Sequence, residues 1–418
     1  MIKNFTCKDF RNVECDHLSF ARINILIGPN NAGKSNFIRA LSFAANMVNA
    51  NASDDTGFLT ELNRNGWNRV INRKTVDSEF TLKWEFELKK SLPVEYTLKA
   101  HAGVDRKLNY ISGEILDSRN KKGAYEKPYN YFDCHSFEVG KGQFSTAGIH
   151  SRVNNRVQTA VNSQESVLLQ MDNLFFKDMR LFSEPFVRDN IREVLALMKT
   201  YFHSFYSYAC TSFNIAEIRS LQDMQASGEY LKKDASNFVN VYYDALLKDP
   251  NFESRYLYGL KRMISSCSKV EVKIAGGKIW MELHVDGESY SLSEVSDGTV
   301  HLLVLLLLLN LPEENGISML AIDEPEMNLH PAWQNILATE ILSCKGFKQC
   351  FLSTHSPEFL DEFTEDFLKG KVNVFVFDPF SRTPIRQLDR NELSDDLAEW
   401  SLGDLYRVGD PMIGGWPQ

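Results

Sequence analysis

The stretch that decides the fold is a glycine-rich loop near the N-terminus, Gly28-Pro29-Asn30-Asn31-Ala32-Gly33-Lys34-Ser35. It matches the pattern G-x-x-x-x-G-K-S/T, in which backbone N–H groups surround phosphate oxygens. The apolar residues 23–27 before the loop predict a buried strand, and residues 36–41 after it predict the start of a helix. A strand, a tight turn and a helix N-terminus form an anion site that the helix dipole reinforces. The motif therefore predicts a nucleotide-binding site.

The side chains of this loop have the chemistry that a nucleoside triphosphate with Mg²⁺ requires. Lys34 can place its ammonium on the β- and γ-phosphates, and the Ser35 hydroxyl is a typical Mg²⁺ ligand. A chance match in an ordinary loop is the alternative, and the strand and helix around the motif weaken it. The expected nucleotide-binding residues of this loop are Asn30, Asn31, Ala32, Gly33, Lys34, Ser35 and Asn36.

Composition points to a cytoplasmic globular protein of two or three domains. The chain has 418 residues, and its longest apolar run, residues 302–309, is far shorter than the roughly 20 residues of a membrane span. Residues 1–5 lack the apolar core of a signal peptide, and the seven cysteines form no C-x-x-C pair. An odd number of cysteines argues against a disulfide framework, so we expect the reducing cytoplasm.

The net charge of −9 gives the chain no overall attraction to nucleic acid, although two local groups of basic residues could form patches. A solvated surface is the simpler explanation of both patches, because Lys and Arg line most surface loops. A DNA contact requires that one face of the folded molecule gathers them. The two groups are Arg64, Arg69, Arg73 and Lys74, and then Arg119, Lys121 and Lys122.

Hydrophobic patterning divides the chain into three parts. Alternating residues at 80–88 and 94–98 predict an antiparallel hairpin after the first helix, and the polar residues 117–160 predict loops. Helical spacing dominates about 163–265, and a second hairpin with a Gly276-Gly277 turn follows. We expect an N-terminal part with the phosphate loop at 1–160, a helical part at 161–310 and a C-terminal part at 311–418 that completes the nucleotide-binding lobe.

Two acidic residues follow a second apolar stretch, Met319-Leu320-Ala321-Ile322. A buried parallel strand that ends in carboxylates places them at the edge where α/β sheets bind ligands. Asp323 would then hold Mg²⁺ directly or through water, and Glu324 would activate the attacking water as a general base. Two solvated acids at a strand end are the alternative, and the intact phosphate loop makes that alternative weak.

A third apolar stretch ends in Ser353-Thr354-His355. A histidine at this edge can reach a γ-phosphate or orient the attacking water, so we expect His355 to be catalytic. A lone histidine is more often structural. His355, however, follows the acidic strand by one helix, as a histidine that senses the γ-phosphate should.

The segment Val295-Ser296-Asp297-Gly298-Thr299 leads into an apolar helix. Ser296 is a good N-cap and Asp297 is favourable in the first turn, which explains these residues without any ligand. The same exposed N–H groups could bind a phosphate instead.

In this order the four motifs resemble the heads of ABC-type ATPases. Val295 to Thr299 is similar to the L-S-G-G-Q signature, and residues 326–331 are similar to the D-loop, with His330 where transporters have Asp. The details resemble the soluble AAA-type branch that includes RecF, SMC-like heads, the OLD nucleases and the Septu ATPase PtuA. The implied fold is an α/β P-loop NTPase of the ABC head type, with a β-rich N-terminal subdomain and an inserted helical signature lobe.

The resemblance implies that two heads join face to face around ATP and Mg²⁺, as a homodimer or a higher oligomer. Ser296 and Gly298 would contact the γ-phosphate held at the partner's phosphate loop, and His330 would line the interface. The Q-loop glutamine has no clear position, and Gln158 and Gln164 are candidates. Shared ATP would couple nucleotide state to association, since a ligand at about 100 times its Kd shifts an equilibrium by ~2.7 kcal/mol.

Three functions compete. The first is an ATP-hydrolysing subunit of a DNA-linked antiphage defence system that controls a separate nuclease or toxin, with nucleic acid as a further partner. OLD enzymes carry a C-terminal Toprim nuclease, whereas about 60 residues follow His355 here, so we expect a separate effector. The second is a RecF-like DNA repair ATPase. The third is a transporter ATPase, which we discount because the sequence shows no membrane segment. The sequence names neither the trigger nor the effector.

Overall fold

The computed structural model describes most of the chain, and the elements below are numbered in chain order. The described residues are 1–50, 56–66, 69–75, 77–88, 93–103, 108–118, 130–146, 157–171, 185–225, 230–311, 317–379 and 384–413. The helices are α1 Lys34–Asn49, α2 Gly57–Asn65, α3 Pro185–His203, α4 Ile215–Arg219, α5 Phe238–Lys248, α6 Phe252–Met263, α7 Asp297–Asn310, α8 Pro331–Ser343, α9 Pro357–Asp361, α10 Thr364–Leu368 and α11 Leu402–Val408.

The strands alternate with these helices only in the second half of the chain. They are β1 Ile2–Phe10, β2 Val13–Ser19, β3 Ile23–Ile27, β4 Glu79–Glu87, β5 Pro93–His101, β6 Tyr110–Ser118, β7 Asn130–Glu138, β8 Lys141–Thr146, β9 Val157–Val161, β10 Phe205–Ala209, β11 Gln222–Asp223, β12 Cys267–Ala275, β13 Lys278–Val285, β14 Glu288–Ser291, β15 Met319–Asp323, β16 Cys350–Ser353, β17 Val372–Phe377 and β18 Ile385–Gln387.

The chain folds into two compact units, each assembled from separate segments. Unit 1 contains residues 1–20, 30–205 and 378–386, and unit 2 contains residues 21–29, 206–377 and 387–418. The division at 160 and 310 that the sequence suggests stays a prediction. None of the described helices has the length and apolar character that a membrane span needs.

Unit 1 is built on an antiparallel sheet with the strand order β2-β1-β4-β5-β6-β7-β8-β9. Helix α1 packs on its first strands, and Trp84 of β4 donates from its indole N–H to the Leu41 carbonyl of α1 at 3.0 Å. Edge-to-face aromatic pairs fill the space between, such as Phe5 with Phe37 at 5.6 Å. These contacts hold helix α1 on the antiparallel sheet.

The sequence prediction for unit 1 is right for the first hairpin and wrong for the segment after it. Strands β4 and β5 pair as expected, with Trp84 opposite Tyr96. Residues 117–160 were expected to be loops, but they contain strands β7, β8 and β9. The buried positions of β7 include Cys134 and Ser136 beside Phe132, so a weak apolar signal hides the alternation of a strand.

Unit 2 contains a mostly buried sheet whose strands run β10-β15-β16-β3-β17. Strands β15, β16, β3 and β17 pair in parallel, and all five residues of β3 are buried. Helix α7 is apolar over residues 302–309, and residues 298–309 are buried on every side. The predicted strands at 23–27, 319–322 and 350–353 and the helix after Asp297 are confirmed.

A smaller antiparallel sheet completes unit 2. Strands β12 and β13 form the predicted second hairpin, with the turn at Gly276 and Gly277, and β11 and β14 pair with β13. Both turn glycines have positive φ, 57° and 77°, a conformation that favours glycine.

Candidate active site

The phosphate loop joins the end of β3 to the start of α1, and its two glycines have backbone geometry that other residues rarely adopt. Gly28 has φ 137°, and a Cβ atom there would lie 2.3 Å from the Phe377 carbonyl oxygen. Gly33 has φ 114° and is the N-cap of α1, to which no side chain adds a capping hydrogen bond. Its first-turn N–H groups therefore suit phosphate oxygens.

Asn12, in the turn between β1 and β2, braces this loop, a role that no sequence motif indicates. Its Nδ2 donates to the Asn31 carbonyl at 3.2 Å, and its Oδ1 accepts from Asn36 Nδ2 at 2.7 Å. Asn31 itself has φ 63°, in the left-handed region. Two hydrogen bonds from one amide thus hold both ends of the loop segment that is expected to contact phosphate.

Positive charge accumulates in unit 1 beside the loop. Lys34, the first residue of α1, has an exposed fraction of only 6%. Arg11 donates to Asn36 Oδ1 at 3.2 Å and to the Asn65 carbonyl at 2.6 Å. Burial together with the nearby Arg39 and Arg69 lowers the pKa of Arg11 to about 10, because like charges disfavour another cation.

In unit 2, the parallel register places Asp323 at the end of β15 opposite Ser353 at the end of β16. The Ser353 hydroxyl donates to Asp323 Oδ1 and accepts from the Glu324 backbone N–H at 3.2 Å. Glu324 has φ 56°, a left-handed conformation that carries backbone strain in a non-glycine residue. The Ser353 backbone carbonyl accepts from the same N–H at 3.1 Å. Ser353 therefore holds both predicted acids, through its hydroxyl and its backbone, and sequence reasoning missed it.

Glu326 joins the turn after β15 to the turn after β16. Its Oε1 accepts from Thr354 Oγ1 at 2.8 Å and from the His355 backbone N–H at 2.9 Å. Burial, and secondarily the Glu324 charge, raises the pKa of the Glu326 carboxyl. His355 Nε2 lies 4.0 Å from Glu324 Oε1, so the structure brings the two predicted catalytic side chains together.

The predicted signature segment forms the start of α7. Ser296 is the N-cap and accepts from the Thr299 N–H at 3.2 Å, so capping is correct as a local explanation. Asp297 forms an ion pair with Arg219 Nη2 at 2.8 Å. Arg219 also donates to the carbonyls of Leu292 and Val295 at 3.0 and 2.6 Å, and this fixes the turn before the helix.

The D-loop segment, residues 326–331, packs against this helix within unit 2. A Cβ atom on Gly298 would lie 2.3 Å from the Asn328 carbonyl oxygen, so only glycine permits the approach. His301 Nδ1 lies 3.2 Å from the Met327 carbonyl oxygen. His330 is exposed and caps α8 by accepting from the Ala332 N–H.

The candidate Q-loop residues lie in unit 1. Gln164 donates from Nε2 to the Asn109 carbonyl at 2.9 Å. The side chain of Gln158 lies outside the described ones, as do Arg119, Lys121 and Lys122.

The donor chemistry fits ATP and Mg²⁺. The uncapped first turn of α1 and Lys34 suit phosphates, and the oxygens of Ser35 and Asp323 are the hard ligands that Mg²⁺ prefers. Among the described residues, one other group could hold a metal: Glu271, Glu282 and His284. Glu271 already pairs with Lys269, Lys273 and His284 at 2.9 to 3.0 Å, so this surface cluster is neutralised by its own cations.

Comparison with known proteins supports this chemistry. Residues 23–361 match the family described as "AAA domain, putative AbiEii toxin, Type IV TA system", and the chain belongs to that family. It is similar to endonuclease GajA of Bacillus cereus strain VD045, with 24% identity over 373 residues. That match covers 86% of this chain and 56% of GajA, so the chain spans little more than half the length of that relative.

Two solved SMC heads are similar over most of the chain. The crystal structure of the SmcHead bound to the C-winged helix domain of ScpA is 12% identical, with TM-score 0.48 and coverage of 94% of this chain and 99% of that one. The SMC head domain from Thermotoga maritima is 12% identical, with TM-score 0.40 and coverage of 92% and 97%. Family membership and the motif order make this chain an ABC-type P-loop NTPase head of the α/β class, as the sequence predicts.

Proposed function

We propose that the chain hydrolyses ATP with Mg²⁺ and that two heads close around the nucleotide in a DNA-linked defence system. The observation that carries the proposal is the cluster at the ends of β15 and β16. There Ser353 orients Asp323 and Glu324, and His355 stands 4.0 Å from Glu324. Such a constellation of acid, base and orienting hydroxyl suits metal-assisted phosphoryl transfer.

Each residue has a separate task in the proposed reaction. Bound Mg²⁺ would neutralise charge on the phosphates, with Ser35 and Asp323 as its ligands. Lys34 and the N–H groups of residues 30–36 would bind the phosphates. Glu324 accepts the proton of the attacking water, and His355 orients that water or the γ-phosphate. Ser353 and Glu326 hold Glu324 and His355 in fixed positions relative to each other.

Closure of two heads follows from the resemblance to ABC ATPases, in which the signature acts in trans. In this proposal, Ser296 and Gly298 contact the γ-phosphate bound at the partner's phosphate loop. The first turn of α7 is the positive end of the helix dipole, which has the polarity for an anion. The ion pair between Arg219 and Asp297 supports this assignment, because it neutralises an acid that would otherwise repel the phosphate.

The proposed link to nucleic acid rests on the endonuclease relative and on the cationic cluster of Arg11, Arg39 and Arg69. We propose that nucleotide state controls an effector, a nuclease or toxin, on a separate protein. If the effector is a separate protein, purified protein of this sequence should leave DNA intact with ATP and Mg²⁺ or Mn²⁺. Metal-dependent cleavage that survives repurification and the Glu324→Gln change would contradict the separate effector.

The test of hydrolysis compares two variants. Glu324→Gln keeps size and hydrogen bonding but removes the base, so turnover should fall by about 10²-fold or more while ATP still binds. Lys34→Ala should instead weaken ATP binding, measured by calorimetry. Normal hydrolysis by Glu324→Gln would overturn the assignment. DNA-stimulated turnover without any partner would favour the RecF-like alternative.

A further inference from the structure

Gln334, in the first turns of α8, bridges the D-loop segment and the switch turn, residues 354–356. Its Nε2 donates to the Leu329 carbonyl at 3.0 Å, and its Oε1 accepts from Ser356 Oγ at 2.5 Å. The side chain is 9% exposed. Because a carbonyl oxygen can only accept, the amide nitrogen must face Leu329, and the orientation of the bridge is fixed.

Both ends of the bridge are attached to the candidate machinery. On one side, the Ser356 N–H donates to Thr354 Oγ1 at 3.0 Å, and Thr354 donates to Glu326. On the other side, the D-loop segment lies against the signature helix through Gly298 and His301. Two connections therefore join the D-loop segment to the switch turn: the bridge from Leu329 through Gln334 to Ser356, and the direct bonds of Glu326 to Thr354 and the His355 N–H.

We propose that Gln334 is a positioning residue that sets the switch turn according to the position of the D-loop segment. The inference rests on the proposed function, in which a second head closes on the signature helix. A buried amide bonded at both ends cannot follow one partner without moving the other or leaving a polar group unpaired, which costs about 1–3 kcal/mol. A second head that presses on the D-loop segment thus acts on the turn that carries His355, which already stands 4.0 Å from Glu324 in the single chain.

The experiment compares two Gln→Met substitutions, each of which removes hydrogen bonds near one end of β16. Gln334→Met keeps the length of the side chain and removes both hydrogen bonds. Gln349 is fully buried, and its Nε2 donates to the Ala21 carbonyl at 3.0 Å. Gln349→Met removes that hydrogen bond. Gln349 precedes β16 by one residue, about 13 Å along the strand from its catalytic end. ATP affinity, steady-state hydrolysis and thermal unfolding are measured for both.

Both variants should lose stability and keep the ATP affinity of the parent. Only Gln334→Met should lose kcat, by about tenfold, as expected for a displaced catalytic group. Ser356→Ala removes the other end of the bridge and should lower kcat similarly. Ser356 Oγ also accepts from the Phe359 N–H at 3.2 Å as the N-cap of α9. The loss in the double variant should nevertheless be smaller than the sum of the two single losses, because the contact between Gln334 and Ser356 is shared.

Three results would overturn the inference: parental kcat in Gln334→Met, an equal loss in Gln349→Met, or additive losses in the double variant. If Gln334→Met does not fold, Ser356→Ala decides alone, and parental kcat would then refute the bridge. Glu324→Gln is assayed in parallel. Hydrolysis by that variant would refute the proposed function, whereas an inactive Glu324→Gln beside a fully active Gln334→Met would refute only the positioning role.

Discussion

Ser353 Oγ donates a hydrogen bond to the carboxylate of Asp323, across the pair of parallel strands that ends at the candidate active site. The same oxygen accepts from the Glu324 N–H at 3.2 Å. Ser353→Ala should therefore lower kcat by about 10- to 100-fold, since a small misplacement of a catalytic group has effects of this size. The control is Ser343→Ala, which removes a hydroxyl bonded to the Thr339 carbonyl in α8. Equal kcat values for the two variants would contradict the orienting role.

Asn12 should affect nucleotide binding rather than the chemical step. Asn12→Ala removes two hydrogen bonds to the phosphate loop, each worth about 1 kcal/mol, so ATP affinity should fall by roughly tenfold or more. Asn46→Ala, at the other end of α1, is the matched control, because the Asn46 amide donates to Ser42 and Glu61 instead of the phosphate loop. Calorimetric titration with ATP measures both. An unchanged affinity in Asn12→Ala would show that the loop holds its shape without the brace.

The basic residues after α2 predict a salt-dependent affinity for DNA. Arg69 and Arg73 are exposed, and Arg69 lies close enough to Arg11 to lower its pKa, whereas Arg64 pairs with Glu61 at 3.6 Å. Changing Arg69 and Arg73 to Glu should weaken DNA binding and reduce the slope of log K against log salt by about 2. Fluorescence anisotropy over a salt series measures the effect, and basal hydrolysis should not change.

The control for this prediction changes Lys369 and Lys371 to Glu. These residues are exposed in unit 2, and the variant has the same change in net charge. If both double variants bind DNA equally weakly, net charge alone explains the affinity and the face near the phosphate loop has no special role.

Glu114 should make the stability of the protein depend on pH. This buried carboxylate accepts from Tyr96 at 3.0 Å, from Ser166 at 2.8 Å and from the Val167 N–H at 2.8 Å, yet burial raises its pKa. The folded protein then binds a proton that the unfolded chain has released. The free energy of unfolding therefore falls as pH rises above the ordinary Glu pKa of about 4.3, up to the raised value.

Glu114→Gln removes this titration without removing the buried polar group. Urea unfolding between about pH 4.5 and 8 should show the parent losing stability relative to the variant as pH rises. The difference between the two profiles cancels the contributions of all other groups. Parallel profiles would show that the carboxyl is ionised in the folded protein throughout this range.

Local sequence signals predicted β15 and β16, the strands that end at the candidate active site, because each motif combines an apolar run with polar residues at one end. Strand β16 and the first four residues of β15 are buried, and the two strands pair in parallel register. The strands between 130 and 161 were missed, since small or polar residues such as Ser136 and Gly142 occupy positions where alternation should show apolar ones.

Residues that support the site could not be found in the sequence. Asn12, Ser353 and Gln334 make contacts with residues 19 to 30 positions away in the chain. Asn12 and Gln334 belong to no recognised motif, and the Ser-Thr-His motif does not indicate the contacts of its serine. Their roles exist only once the chain has folded, because a serine or an amide in a strand, turn or helix has many ordinary explanations. The role of Ser296 is the reverse case: the cap is visible in both sequence and structure, and its proposed ligand lies on a second molecule.

The measurement that tests the central proposal most directly is a mixing experiment with two inactive variants. Ser296→Arg should bind ATP but block closure, and Lys34→Ala should not bind ATP, so neither should hydrolyse it alone. A mixed pair contains one complete site, made of the intact phosphate loop of one chain and the intact signature of the other. The account predicts that mixing restores hydrolysis above the sum of the separate variants, with about half of the paired molecules mixed at equal concentrations. Full activity of Ser296→Arg alone, at a dilution where it is monomeric, would contradict it.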